Sequence, residues 1–467
     1  MPVAPQVLRH AADTALRDRV ALRTPDRSRT YGALAADVRA GAAYLRATGT
    51  APGDLVAVSL PDPVDLLTAV LAADHAGATP LVCDVAWSRA QRSEVLRVVA
   101  PRTFVEVPLP RGTQPAPATP GASSPDDLAW AGFSSGSTGR PRAVVRTRGS
   151  WTASFEHVTR LVALTPHDVV LVPGPLASSL SFFAAAHTLA VGAGVFLTRT
   201  PAATTTALAS CDVVHLVPST LDTVLDALDA GAPSRLRHAV VGGAALAAGV
   251  RERAAGHGVD VLAYYGAVEL SFVAHDPDGA GLRPFPEVDV EVRPLPGARL
   301  GEVWVRSPWV ARGYLARATG PLRREDGWCT VGDLADPAPD DAPPHAPLVL
   351  RGRGDGAILT GGATVVPEDV EVVLRAVPGV RDVVVVGTPH RRFGSVVTAV
   401  VECDARPGLR AHLERVARSS LAPAQRPRRW FGTPALPRTP SGKAARGAVS
   451  EALGAPDSAA GGLAALA

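Results

Sequence analysis

The sequence has little of several features that mark particular classes of protein. It contains four cysteines in 467 residues and no CxxC pair, which argues against a zinc site and a disulfide framework. Its 47 basic and 44 acidic residues leave a net charge of +3, so the charge balance gives no reason to expect nucleic acid as a partner. It has no uninterrupted apolar run of about 18 residues, which a membrane span requires, and residues 1–18 lack the apolar stretch of a secretory signal. These absences predict a soluble, cytoplasmic protein.

Lysine is the scarcest charged residue. Of the 47 basic residues, 46 are arginine and one, Lys443, is lysine. Alanine, arginine, glycine and proline are abundant throughout, so a general coding bias accounts for the excess of arginine. The same bias makes the retained Lys443 a candidate functional residue.

Short apolar, β-branched runs alternate with alanine-rich helical patterns along the chain. The runs include 55–58, 169–172 and 214–217, and the helical patterns include 64–77 and 243–255. This alternation predicts an α/β architecture with largely buried strands.

Three segments of biased composition interrupt this alternation. Residues 107–127 are rich in Pro, Ser and Gly, and residues 335–347 are acidic and rich in Pro. Residues 452–467 are rich in Ala and Gly, which predicts a disordered end.

A new unit begins after the second of these segments. Pro367 precedes an acidic helix start, and a valine strand at 383–386 and a helix near 407–419 follow. We therefore place the domain boundary at Gly354-Asp355. The predicted domains are residues 1–353 and 354–450, with 451–467 as a disordered tail.

The sharpest local signal is FSSGSTGRPR at residues 133–142. Its glycines and hydroxyl residues give a flexible backbone with several O–H donors, and Arg140 and Arg142 add positive charge. Such a loop can wrap a polyphosphate, although a Ser/Gly surface turn is the alternative. It is not a Walker loop, because GxxxxGK followed by Ser or Thr is absent.

This segment resembles the phosphate loop of the adenylate-forming superfamily, which comprises acyl-CoA synthetases, peptide-synthetase adenylation domains and firefly luciferase. The resemblance covers about residues 30–446, and other motifs of the superfamily occur in its order. They are TYGAL at 30–34, LAADHAG at 71–77, VGGAAL at 241–246, YYGAVE at 264–269, GEVWVR at 301–306, VGDL at 331–334, GRGD at 352–355 and LPRTPSGK at 436–443. The resemblance implies a large N-terminal AMP-binding domain of layered α/β subdomains, with an acyl pocket. A small, mobile C-terminal α+β domain would follow.

The resemblance also implies roles for the matching residues. Lys443 and Glu269 would be catalytic, and Glu269 would be the ligand of Mg²⁺. Two glycines, Gly361 and Gly362, would let the pantetheine arm of coenzyme A pass, and Asp355 would be the hinge. The residues expected to bind ATP or AMP are Ser134, Ser135, Gly136, Ser137, Thr138, Gly139, Arg142, Gly243, Ala244, Ala245, Tyr264, Tyr265, Gly266, Val268, Asp333 and Arg353.

The chemistry of these residues suits the implied roles. Tyr265 offers an aromatic face for adenine, although a core tyrosine is the alternative. A carboxylate at Asp333 can accept hydrogen bonds from both ribose hydroxyls, or cap a turn. A single glutamate suffices for Mg²⁺, which keeps several waters and binds substrate phosphates. The compact ammonium of Lys443 can stabilise charge on the α-phosphate as pyrophosphate departs.

Several positions depart from the superfamily's pattern, mostly on the phosphate side. Val268 stands where Thr or Ser is usual, and Arg142 replaces a lysine. Residues 329–331 lack the usual Arg-Thr, and 175–178 lack a histidine. We expect adenylation to be slow or delegated, with thioester formation retained.

The segments that line the acyl pocket in relatives are small and apolar here. They match residues 175–183 and 240–268, which include two phenylalanines. They supply no aspartate for an amino acid's ammonium and no evident arginine for a second carboxylate. The sequence therefore predicts an acyl-CoA ligase for a bulky, mostly apolar carboxylic acid. The alternatives are transfer of the acyl group to a carrier protein or another acceptor, and a non-catalytic nucleotide- or acyl-binding protein.

Overall fold

A computed structural model provides the structure of this chain. It describes residues 3–112, 124–134, 142–295, 300–317, 320–339, 346–353, 356, 358–360, 363–390, 394–404, 408–421, 423–439, 442–454 and 463–466. These residues form two compact units. The first contains the described residues up to 134, in 141–289 and in 305–322, and the second those in 290–304 and 323–467.

The elements are numbered along the chain. The helices are α1 Ala4–Ala12, α2 Tyr31–Ala47, α3 Pro63–His75, α4 Arg89–Val99, α5 Arg148–Thr152, α6 Phe155–Leu161, α7 Ser179–Val191, α8 Pro201–Ala207, α9 Pro218–Asp229, α10 Val250–Gly256, α11 Pro367–Arg375, α12 Leu409–Ser420 and α13 Arg446–Gly454. The strands are β1 Val20–Arg23, β2 Ser28–Thr30, β3 Leu55–Val58, β4 Thr79–Val82, β5 Thr103–Val105, β6 Leu128–Ser134, β7 Arg142–Thr147, β8 Val169–Val172, β9 Gly194–Leu197, β10 Val213–Leu216, β11 His238–Gly242, β12 Asp260–Ala267, β13 Ser271–Asp276, β14 Arg283–Pro284, β15 Asp289–Pro294, β16 Gly301–Arg306, β17 Gly313–Tyr314, β18 Arg323–Glu325, β19 Trp328–Thr330, β20 Asp333–Ala335, β21 Leu350–Arg353, β22 Ile358–Thr360, β23 Ala363–Val365, β24 Asp382–His390, β25 Gly394–Glu402, β26 Arg429–Thr433 and β27 Ala464–Ala465.

The first unit contains two mixed sheets. One runs β14-β13-β12-β11-β10-β8-β9-β1-β2, and the other β17-β7-β6-β4-β3-β5. Adjacent strands from β9 to β12 on this path are parallel to each other, whereas β13 is antiparallel to β12. Every residue of β9 and β10 is buried. Parallel strands covered by helices on both faces are buried in this way. The predicted α/β class is therefore confirmed.

The two faces of β10 meet different helices. Val214 and Leu216 pack with residues of α8, α9 and α10 in one apolar core. The intervening His215 faces the other side of the sheet because successive side chains alternate.

Most predicted elements of the first unit are present with small shifts. The strand predicted at 55–58 is β3, and the helix at 64–77 is α3. Asp62 caps α3 by accepting from Val64 N, and Pro63 stands at its first position. The helix predicted at 243–255 is wrong in its first half, since α10 begins at Val250. Gly243 (φ +95°) and Gly249 (φ +81°) adopt left-handed conformations that a helix excludes.

The second unit contains the other two sheets. One has the order β18-β19-β16-β20-β21, with β15 on β16, and the other β23-β22-β25-β26-β27, with β24 on β25. In the latter, α11 and α12 bury Val370, Leu374 and Leu413 against the sheet. The predicted helix start at Pro367 and valine strand at 383–386 are found in α11 and β24.

The end of the chain differs from the predicted disordered tail in its described residues. Helix α13 continues to Gly454, and β27 pairs with β26 through Phe431↔Ala465 and Gly432↔Ala464. Leu463 is only 6% exposed and packs with Val384 and Val386. A few apolar contacts thus hold the described residue Leu463, although the composition around it suggests disorder.

The boundary predicted at Gly354-Asp355 lies outside the described residues and remains a prediction. The second unit also includes residues 290–304 and 323–353, which the prediction places in the N-terminal domain. In the described part of the chain, no helix is long and apolar enough to span a membrane.

Candidate functional site

The predicted phosphate loop joins two paired strands of the first unit. Strands β6 and β7 are antiparallel, with Ser134 opposite Arg142. The side chain of Ser134 lies outside the description, as do Ser135, Gly136, Ser137, Thr138 and Gly139. The hairpin thus places Arg142 at the point where the loop returns to the sheet.

The predicted adenine-binding residues lie at the carboxyl ends of β11 and β12. Gly243, Ala244 and Ala245 follow β11 and are exposed. A Cβ at Gly242 would lie 2.2 Å from Cζ of Tyr264, so this tyrosine ring covers the glycine backbone. Burial raises the pKa of Tyr264 and keeps the phenol neutral.

Glycine is required at the predicted position 266. A Cβ there would lie 2.1 Å from the carbonyl oxygen of Ser271 on β13, and the register between the strands shifts between Tyr265 and Gly266. Tyr265 itself is partly buried. The chain then turns, leaving Val268 partly buried and Glu269 only 1% exposed.

Glu269 is held by a segment distant in sequence. The Tyr314 hydroxyl donates to Glu269 Oε1 at 3.0 Å, and Ala311 N donates to the Glu269 carbonyl at 2.7 Å. Tyr314 lies on β17, opposite Val144 of β7. The same hydroxyl accepts from Leu322 N at 3.2 Å.

Tyr314 also links Glu269 to Arg142. Burial and the negative charge of Glu269 raise the pKa of the Tyr314 phenol, whereas the positive charge of Arg142 lowers it. Both predicted residues therefore act electrostatically on one phenol. Tyr314 is not among the residues predicted from the sequence, where its only signal is that the chain has just five tyrosines.

Two predicted ribose-binding residues of the second unit lie on paired strands. Asp333 begins β20, is 8% exposed and stands opposite Arg353 of β21. The turn before it uses Gly332 (φ +82°), whose N–H donates to Thr330 Oγ1 at 3.0 Å. The Arg353 side chain, Asp355, Gly361 and Gly362 lie outside the described residues.

Lys443 closes a tight turn of the second unit. Thr439 N donates to the Lys443 carbonyl at 2.7 Å, and Lys443 N donates to Thr439 Oγ1 at 3.2 Å. Arg438 binds Asp382 and Glu402 just before this turn, at 3.1 and 2.9 Å. Lys443 is partly exposed, so its turn presents the side chain from a firmly bonded backbone.

The donor set of the first unit fits a magnesium ion held with substrate. The described residues contain no group of three or more His, Cys, Asp and Glu that could form an all-protein metal site. Magnesium bound with a nucleotide needs only one or two carboxylates, because phosphates and waters complete its coordination. Glu269 is a buried carboxylate of that kind.

Family and sequence comparisons agree with this geometry. Residues 8–114 and 106–315 match the model of the AMP-binding enzyme family, and 369–443 match its C-terminal domain. An uncharacterized acyl-CoA ligase, YhfT of Bacillus subtilis, is 31% identical over 93% of this chain and 95% of its own length. The 2-succinylbenzoate–CoA ligase of Salmonella typhimurium is 30% identical over 67% of this chain and 66% of its own length.

Solved structures share the fold across nearly the whole chain. ATP-bound MatB from Rhodopseudomonas palustris is 25% identical, with a TM-score of 0.83 over 96% of this chain and 98% of its own. The o-succinylbenzoate CoA synthetase of Bacillus subtilis, solved with its acyl-adenylate, has a TM-score of 0.82 at 21% identity, covering 94% of this chain and 96% of its own. The chain therefore belongs to the AMP-binding enzyme family of the adenylate-forming superfamily, as an AMP-forming acyl-CoA ligase.

Proposed function

We propose that this ligase activates a bulky, mostly apolar carboxylic acid as its acyl-adenylate and transfers the acyl group to coenzyme A. The observation that carries the substrate class is a cluster of aromatic rings contributed by α7, β12 and β13. Phe183 of α7 lies 4.8 Å from Phe272, which lies 4.5 Å from Tyr264, between ring centroids. Tyr264 covers Gly242 and is one of the predicted nucleotide-binding residues, so the cluster adjoins the predicted nucleotide site.

A histidine that contacts this cluster carries no charge at neutral pH. His187 stacks on Phe183 at 5.6 Å, and complete burial lowers the pKa of its imidazole to about 4. A neutral, aromatic lining favours an apolar acyl chain over one that bears a second charge.

In the first step, an oxygen of the carboxylate attacks the α-phosphorus of ATP, and pyrophosphate leaves as its P–O bond breaks. Lys443 is proposed to stabilise the charge on the α-phosphate, with Arg142 beside the phosphates. Glu269 would hold Mg²⁺, which supplies charge neutralisation to the phosphates when bound. Tyr265 would stack on adenine, while Asp333 and Arg353 bind ribose.

In the second step, the sulfur of coenzyme A attacks the acyl carbonyl and AMP leaves, while the thiol proton passes to solvent. The proposed hinge at Asp355 would bring the Gly361-Gly362 loop to the site in place of Lys443. Domain rotations of this type are an established form of conformational switching.

A panel of carboxylic acids with ATP, Mg²⁺ and coenzyme A tests this proposal. AMP release and thioester formation are measured separately for aromatic, fatty and dicarboxylic acids. We expect thioester from large apolar acids and little from dicarboxylates. Preference for small or doubly charged acids would contradict the proposed substrate class.

The acceptor is tested with the acid found in that panel. Coenzyme A and a phosphopantetheine-bearing carrier protein are compared at equal concentration. Faster transfer to the carrier protein would show that the carrier protein, and not coenzyme A, is the acceptor. The proposed adenylation step would stand unchanged.

A further inference from the structure

Arg146 is a fully buried cation of the first unit that the sequence motifs do not include. It lies on β7, four residues after Arg142, and is 1% exposed. Its Nη1 and Nη2 donate to the Trp309 carbonyl at 3.0 and 2.5 Å, and its Cζ lies 5.3 Å from the centroid of the Trp151 ring. Burying a guanidinium is costly unless an opposite charge is near.

Glu269 supplies that opposite charge. Burial lowers the pKa of Arg146 to about 9, and the carboxylate of Glu269 acts against this shift. Because a pKa of about 9 lies above neutral pH, Arg146 remains a cation there. The structure therefore keeps two opposite charges, Arg146 and Glu269, buried within electrostatic reach of each other.

The chain segment 309–314 connects the two charges through backbone bonds. Trp309 accepts from Arg146 through its carbonyl, and Ala311 N donates to the Glu269 carbonyl at 2.7 Å. Arg312 N donates to the Val145 carbonyl at 2.9 Å. The segment ends at Tyr314, whose hydroxyl binds Glu269 Oε1. Segment 309–314 is thus hydrogen-bonded alternately to β7 and to Glu269.

Stability alone does not account for this arrangement. Replacing a buried ion pair by apolar side chains of similar volume is often neutral or stabilising, whereas removing one partner is strongly destabilising. Apolar side chains could not hold the carboxylate of Glu269, the proposed ligand of Mg²⁺, in one orientation. Metal ligands are commonly oriented by hydrogen bonds from neighbouring groups that do not touch the metal themselves.

We propose that Arg146 and Tyr314 are positioning residues, which hold the carboxylate of Glu269 through the segment 309–314 in the orientation required for the magnesium–nucleotide complex. The inference depends on the proposed ligase function, because only the adenylation step uses that complex. Strand β7 begins directly after the predicted phosphate loop. It therefore ties the loop and Glu269 to one rigid element.

The test compares Arg146→Met, Arg146→Lys and Tyr314→Phe with wild type. ATP binding is measured by titration calorimetry with Mg²⁺ and with EDTA, which needs no turnover. We expect the Mg²⁺-dependent gain in affinity, and the rate of adenylation, to fall about 10–100-fold in Arg146→Met and Tyr314→Phe. Arg146→Lys keeps the positive charge but not the forked pair of donors. Its gain in affinity and its adenylation rate should lie between those of Arg146→Met and wild type. Transfer from a synthetic acyl-adenylate to coenzyme A should stay within about twofold, since that step involves no triphosphate.

Arg237→Met is the matched control. Arg237 also donates to backbone carbonyls, those of Val162 and Ala163, and it pairs with Asp168. We expect this variant to leave the Mg²⁺ dependence unchanged. An equal loss in both half-reactions, or an equal effect of Arg237→Met, would show a merely structural role and overturn the proposal.

Two further outcomes are separable. If Arg146→Met does not fold, Tyr314→Phe decides the question, because it removes only one hydroxyl and retains the ring. If wild type forms no thioester with any acid, the proposed function fails, while the calorimetric comparison still supports or refutes the role of Arg146 and Tyr314.

Discussion

At the scale of single residues, Lys443 combines a fixed backbone with a long side chain. The bonds between Thr439 and Lys443 hold the backbone of the turn, and a four-carbon stem carries the ammonium. This suits a group that must stabilise charge on the α-phosphate as pyrophosphate departs.

We predict that Lys443→Ala lowers the rate of thioester formation from ATP by about 10²–10³-fold, the usual cost of removing one group that stabilises transition-state charge. Transfer from synthetic acyl-adenylate should be unaffected. Lys443→Arg is the matched control, and it should recover little activity because its planar fork has a different shape. Unchanged ligation from ATP in Lys443→Ala would show that the assigned role is wrong.

Val268 offers a gain-of-function prediction. It adjoins Glu269 and carries no hydroxyl, whereas the superfamily motif that residues 264–269 resemble has Thr or Ser there. A hydrogen bond to a charged group contributes about 1.5–3 kcal/mol, so Val268→Thr should raise ATP–pyrophosphate exchange by about one to two decades. Val268→Ala, which adds no donor, is the control. Robust exchange by the wild type with its cognate acid would contradict the expected weak adenylation.

At the scale of elements, a buried histidine joins two helices. His187 of α7 bonds Thr159 of α6 through Nε2 at 2.7 Å. Burial lowers its pKa from the usual 6.5 to about 4. Between these values the unfolded chain binds a proton that the folded chain does not, so stability falls as the pH is lowered from 6.5 towards 4.

We predict that wild type loses about 2 kcal/mol between pH 7 and pH 5 through this group, since each pH unit inside the window costs about 1.4 kcal/mol. Urea unfolding at both pH values measures the loss. His187→Gln has no titrating group at this position, so its stability should fall by about 2 kcal/mol less than that of wild type between pH 7 and pH 5. His412→Gln, a change at a partly exposed position of α12, should behave as wild type. Parallel losses in all three proteins would refute the assignment to His187.

Local sequence predicted some elements and missed others for identifiable reasons. Valine runs bounded by turns predicted β3 and β24, because burial and β-branching agree there. The pattern at 243–255 looked helical because alanine has high helix propensity, but Gly243 and Gly249 turn the chain instead.

The same contrast applies to the site. Glu269 and Arg142 were predicted because each lies within a short segment that resembles a motif of the superfamily. Tyr314 was missed because it is 45 residues from Glu269 in sequence. Its proximity depends on the pairing of β17 with β7, and the register between distant strands is not encoded in either strand alone.

At the scale of the whole molecule, the last residues of the chain are part of a sheet. Strand β27 covers the edge of β26, and Leu466 N donates to the Trp430 carbonyl at 3.2 Å. Ending the protein at Gly454 should destabilise the second unit by about 2–4 kcal/mol, from the lost burial of Leu463 and the lost backbone bonds.

Thermal unfolding of the truncated and full chains measures this effect. Leu463→Ala in the full chain is the matched control, and it should show about half of the loss because the strand pairing remains. Equal melting temperatures for all three proteins would mean that β27 contributes nothing to stability.

The isolated lysine has a consequence for covalent chemistry. Lys443 is the only side-chain amine in the sequence and is partly exposed on its turn. Apart from the terminal α-amine, amine-selective acylating reagents would therefore label one defined side chain, and the mass increment of the peptide that contains Lys443 would report its reactivity. Protection of that amine by bound nucleotide or acid would map occupancy of the site by mass spectrometry, before any cognate acid is identified.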